Sequence, residues 1–192
     1  MEMTAQEYQN RKGQSYKLLL WFAMISMVMM FAGLTSAYIV SSSRKDWLKD
    51  FELPQAFIIS TIIIILSSFT FHSALTTIRK NDRSKTSFWL LVTLVLGILF
   101  VIFQFIGFGQ IIELGYFFTG SESTVNTSFL YIIAILHMAH LFGGLIALLI
   151  IIYNHFKQKY NSTQTLGIEL GAMFWHFLDI LWILLFLFFY FY

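Results

Sequence analysis

Five long apolar runs, each separated from the next by a short polar stretch, lay out almost the whole chain: 18–40, 55–78, 88–112, 128–153 and 171–192. Each has the ~20 apolar residues that a helix needs to cross a bilayer. All five are expected to be helices. Unpaired backbone groups are too costly in lipid, and the runs are too long for the tilted strands of a barrel. The pattern predicts an all-α membrane protein, with residues 1–17 as an N-terminal segment and 18–192 as a single five-helix transmembrane domain. Pro54 suits the first turn of the second helix, where its missing N–H is not needed. None of the linkers, 41–54, 79–87, 113–127 and 154–170, is long enough for a second folded domain.

Composition agrees. Hydrophobic residues make up 58% of the 192 and charged residues 11%, against about 25% charge in a soluble domain. There is no cysteine, which excludes disulfides, thiolate metal ligands and a copper–thiolate centre. The N-terminal segment lacks the short apolar core and small-residue cleavage site of a signal peptide, so the first span is expected to remain in the mature protein. The net charge of +2 does not point to nucleic acid, because the basic residues sit in loops.

Those basic residues set an orientation. Arg11, Lys12, Lys17, Arg79, Lys80, Arg83, Lys85, Lys157 and Lys159 fall on one side, and Arg44, Lys45 and Lys49 on the other. The positive-inside rule then puts the N-terminus in the cytoplasm and the C-terminus outside, in the periplasm. Small residues four apart, Ala139, Gly143 and Ala147 on the fourth helix and Gly33 and Ala37 on the first, are spaced for close helix packing. Trp182, Tyr190 and Tyr192 are read as an interfacial belt, and Met24, Met27, Met29, Met30 and Phe31 as gap-filling or lipid-facing residues.

The chemistry lies in polar groups inside the spans, where an ionisable side chain costs roughly 2.5–3.5 kcal/mol on insertion scales. His176 and Asp179 share a face of the last helix, and Glu169 lies two turns earlier on that face. This stripe fits a proton relay, a metal site or an anchor to a neighbouring helix. The bland alternative is that Asp179 and His176 satisfy one another or a further helix. His137 and His140, three apart on the fourth helix, could ligate a metal or a haem, or simply make structural hydrogen bonds. A third metal ligand of sure register is missing, and the depths of the other histidines match a haem pair poorly. Gln104 in the third span is expected to bridge helices or meet a histidine. Together Gln104, His137, His140, Glu169, His176 and Asp179 form a candidate buried polar network. No nucleotide loop or nucleophile–base pair can be read, so the chain itself is not expected to hold a catalytic site.

Four fragments, in order on this topology, resemble subunit III of the haem–copper (cytochrome c) oxidases, in its short five-helix bacterial form. They are Glu169 with Phe174-Trp175-His176-Phe177-Leu178-Asp179-Ile180-Leu181-Trp182; His137 and His140 followed by Gly143-Gly144; Leu96-Gly97-Ile98-Leu99-Phe100 leading to Gln104; and Ile65-Leu66-Ser67-Ser68-Phe69-Thr70 with Ala74. The resemblance implies a non-catalytic subunit with no cofactor or metal of its own, haem and copper residing in subunits I and II. It implies packing beside the catalytic subunit, retention of phospholipid and support of proton uptake in a bacterial inner membrane, with a larger respiratory supercomplex as a further candidate partner. Arg79, Arg83, His155 and Lys157 are candidates for lipid headgroups. Two positions depart from the family: Met27 stands where relatives carry a buried glutamate in this span, and Gly107 where they often carry an acid. Alternatives are the related accessory protein of nitric oxide reductases, a free-standing b-type haem protein using His137, His140 and His176, and a small proton-coupled transporter. The last is weakened by the lack of an internal repeat.

Overall fold

The structure, a computed structural model, describes residues 5–43, 53–118, 124–162 and 164–191. All regular structure among them is helical: α1 (Ala5–Ser41), α2 (Gln55–Arg79), α3 (Arg83–Glu113), α4 (Val125–Phe156) and α5 (Leu166–Phe191). Each is long and apolar enough to span a membrane, and the protein is a multi-pass membrane protein. Arg44, Lys45, Lys49 and Tyr192 lie outside the described residues. Pro54 sits at the N-cap, one position before the first turn of α2.

The helices α1, α3, α4 and α5 all run further than their apolar runs, α1 by the most. At 37 residues α1 is about 55 Å long against a hydrocarbon core of about 30 Å, so its first turns project beyond the span. The helix α3 starts at Arg83 rather than in the apolar run, because the turn before it is only three residues long. Asn81 takes a positive φ of 59° there, and the Asp82 side chain accepts the Lys85 amide as the N-cap. That tight turn makes α2 and α3 an antiparallel hairpin. Its register is marked by three polar contacts: Thr77 with Thr86 at 3.0 Å, Thr70 with Thr93 at 2.8 Å, and Gln104 donating to Ser60 at 3.1 Å.

The core forms where α5 lies against this hairpin and α4. Trp175, fully buried, is its centre. A Cβ added at Gly97 would stand 2.9 Å from its ring, and one at Gly144 would stand 3.0 Å from Leu178, so α3 and α4 can approach α5 only because these positions lack a side chain. Gly107 plays the same part for the Phe57 ring, which a Cβ would meet at 2.8 Å. The small residues singled out by spacing do something else. Gly33, Ala37, Ala139 and Gly143 are exposed, and nothing lies within 4 Å of a Cβ at either of those two glycines. These four face away from the bundle, whereas Ala147 is half-buried and lines a cleft toward α1.

The helix α1 stands apart. Only 11% of its most apolar spanning stretch is buried, against 33–44% for the other four helices. It leans on α4 and α5. Met24 and Phe31 are buried in that contact, whereas Met29 is exposed and Met27 half-buried.

Candidate functional site

The helix α2 carries a ladder of hydroxyls that positions the aromatic and ionisable groups of α5. Trp175 Nε1 donates to Ser67 Oγ at 2.8 Å, and Trp182 Nε1 donates to Thr61 Oγ1 at 3.0 Å. Next to the first of these rungs, Ser68 Oγ is hydrogen-bonded to His176 Nδ1. Seven residues separate the two tryptophans on α5, and nearly that spacing separates their acceptors on α2, so the antiparallel pair stays in register over two turns. This corrects the interfacial reading of Trp182. It is 2% exposed, because it lies one turn beyond Leu178 and Asp179 on the inward face of α5; Tyr190, by contrast, is exposed.

The six candidate polar residues occupy distinct settings on this frame. Gln104 is buried with its amide on Ser60 and its carbonyl oxygen unpartnered among the described residues. His137, 1% exposed, is packed against Trp182 (ring centroids 5.1 Å), Phe100 and Phe31, and its Nδ1 has no partner there. His140 turns Nδ1 back to the Leu136 carbonyl at 2.7 Å and sets its ring against Phe31. His176 meets Ser68 on one side and the His72 ring, 6.3 Å away, on the other. Asp179 is 2% exposed with both oxygens unpartnered among the described residues, although Ser68 lies beside it. The partners found for these six are hydroxyls, a backbone carbonyl and basic side chains rather than one another.

Glu169 is the best satisfied. It accepts from Lys17 Nζ on α1 at 3.0 Å, from Arg79 Nη2 on α2 at 3.0 Å and from Thr165 Oγ1 at 2.9 Å. One carboxylate thus ties three helices at the end of the bundle where the described basic residues gather. The other basic-end candidates are spread around that rim. Arg83 donates to the Tyr160 carbonyl at 3.1 Å, and Lys157 lies 4.6 Å from the Tyr153 ring. His155 is buried, with Nε2 on Ser87 Oγ at 2.9 Å and near the Arg83 carbonyl.

Two clefts flank α1. The larger, about 480 Å³, lies between α1, α2 and α5; Trp21, Met24 and Phe177 line its apolar walls, with His72 and His176 on one side and Arg79 and Glu169 at its end. The smaller, about 350 Å³, lies between α1, α4 and α5, with Tyr16, Leu20, Ile150, Tyr160 and Phe174 among its lining residues. Among the described residues, no three His, Asp or Glu side chains come together as a metal site.

The model of the family described as cytochrome c oxidase subunit III matches residues 3–192. The chain belongs to that family. The cytochrome c oxidase subunit 3 of Thermostichus vulcanus is 30% identical over 85% of this chain and 80% of its own length. The cytochrome bo(3) ubiquinol oxidase subunit 3 of Buchnera aphidicola subsp. Schizaphis graminum is 34% identical over 89% and 90%, and the cytochrome c oxidase subunit 3 of Corynebacterium diphtheriae 30% identical over 85% and 82%. As a subunit III, the protein is one component of a haem–copper oxidoreductase complex and associates with other oxidase subunits.

Of the two positions expected from the resemblance to depart from an acidic residue, Gly107 has a physical account. The space beside Gly107 is filled by the Phe57 ring, so an acidic side chain there would displace an aromatic one. At the other, Met27 is half-buried on α1, beside the buried Met24. Sequence reasoning missed the hydroxyl ladder of Ser60, Thr61, Ser67 and Ser68, the glycine slot around Trp175, and Lys17 as the partner of Glu169. The signal for the ladder was present: two adjacent hydroxyl residues recur seven apart, one turn-pair along the same face of α2.

Proposed function

We propose that this chain is the accessory subunit III of a bacterial respiratory cytochrome c oxidase, without a cofactor of its own, which stabilises the catalytic subunit I, retains phospholipid and supports proton uptake. In this reading it lies in the inner membrane with the basic end in the cytoplasm, and haem and copper sit in subunits I and II. The observation that carries the lipid role is the 480 Å³ cleft, apolar along its walls and charged at its end through Arg79 and Glu169. An acyl chain fits the walls, and the two cations on Glu169 leave net positive charge at headgroup level for a phosphate. Arg79 and Lys157, being exposed, are better placed for headgroups than the buried His155. Electrons come from cytochrome c, the donor in the names of the Thermostichus and Corynebacterium relatives; the Buchnera relative is named for ubiquinol.

The test is sustained turnover of the purified complex with and without this subunit, assayed with reduced cytochrome c and with a soluble quinol. The expected result is oxidation of cytochrome c, an unchanged haem spectrum, and a faster loss of activity over successive turnovers once the subunit is removed. An unchanged time course would contradict the supporting role, and turnover with quinol alone would contradict the donor.

A further inference from the structure

We propose that α1 is a latched strap: the Lys17–Glu169 ion pair holds its basic end against the bundle, and its release lets that end swing and widens both flanking clefts. That lipid is what then enters rests on the reading above; the movement does not.

Among the described residues, the contacts that hold α1 change in kind along its length. At the end opposite the latch, the Tyr38 ring packs against Phe129, Phe188 and Phe189, with centroids 6.1, 5.2 and 5.8 Å away. At mid-span, Phe31 packs against His137 and His140. At the basic end the packing thins out. Here the 480 Å³ cleft reaches α1 at Trp21 and Met24, and the 350 Å³ cleft reaches it at Tyr16 and Leu20. Gly13 is buried there, within ordinary contact distance of Leu166, and one turn further on stands the ion pair of Lys17. Aromatic packing therefore pins one end, and a polar tie holds the other.

The tie is built to release. Glu169 serves Lys17 and Arg79 together. Neutralising it removes the attraction and leaves the Lys17 and Arg79 cations beside each other with no carboxylate between them. A partly exposed pair of this kind is weak enough to open thermally, with Lys17 42% and Glu169 22% exposed. Loss of Arg79 leaves the tie to α1 intact, so the two cations are not equivalent.

The chain has no cysteine, so paired spin labels can be placed cleanly in the full-length protein in lipid nanodiscs. One pair is Leu19→Cys on α1 with Phe69→Cys on α2, both well exposed; a second, at the pinned end, is Val40→Cys with Phe191→Cys. Expected are a broadened distance distribution for the first pair in Glu169→Gln and in Lys17→Gln, an unchanged second pair, and Arg79→Gln like the parent. If Glu169→Gln fails to fold, Lys17→Gln gives the same reading. Exchange of a spin-labelled phospholipid from the protein is expected to quicken about fivefold in the released variants. A first pair that stays narrow in both released variants overturns the latch. So does equal broadening in Arg79→Gln, which would mean general loosening. Broadening with unchanged lipid exchange leaves the latch standing and removes lipid as its cargo.

Discussion

Asp179 is the residue whose setting is hardest to reconcile with stability alone. It is 2% exposed near the middle of α5, with neither oxygen partnered among the described residues. Unsatisfied polar groups at such depth are costly and persist mainly where function or assembly needs them. Asp179→Ala is therefore expected to lower sustained turnover or assembled yield of the complex, with the haem spectrum unchanged and no fall in the detergent stability of the isolated chain. Unaltered yield and turnover would contradict a role in the complex. Ser67 is the opposite case. It is fully buried and accepts from Trp175, so Ser67→Ala strands an indole N–H and is expected to cost about 1 kcal/mol in thermal unfolding of the chain. At this scale the sequence was half legible. That His176, Asp179 and Gln104 need partners follows from their burial in apolar runs. Which partners they take does not, because a serine or threonine on α2 that supplies one looks like any other small residue in a span.

Among the elements, the helices were readable from their apolar length, and the faces they bury were not. Spacing of small residues four apart marks a smooth face without saying whether it points in or out. Gly33 and Gly143 point out, whereas Gly97 and Gly144 admit Trp175 and Leu178. Gly97→Ala is thus expected to cost about 1–3 kcal/mol, since Trp175 and Leu145 must move, while Gly143→Ala is expected to leave the isolated chain as stable or slightly more so. Thermal unfolding in detergent compares the two, and equal midpoints would contradict the packing described. The turn between α2 and α3 also hid in the sequence, because its charged residues read as a longer loop. Bonds from the Lys85 side chain and amide hold the Asp82 carboxyl below the usual carboxylate range. Its contribution to the α3 cap is therefore full above that range and lost as pH falls through the lowered value.

For the whole molecule, the main asymmetry is between a four-helix body and an outlying α1 whose spanning surface is mostly uncovered. Apolar surface of that extent is ordinary against lipid and equally suited to a partner subunit, so the fold alone names no partner; membership of the subunit III family implies association with other oxidase subunits. The central claim is tested most directly by purifying the tagged chain from its native membrane in mild detergent. Co-purifying proteins are identified by mass spectrometry, and the visible spectrum is recorded before and after the partners are stripped away. The account predicts haem–copper subunits in the complex and loss of all haem absorbance from the stripped chain. Haem retained on the stripped chain would contradict it and make His137, His140 and His176 candidate ligands.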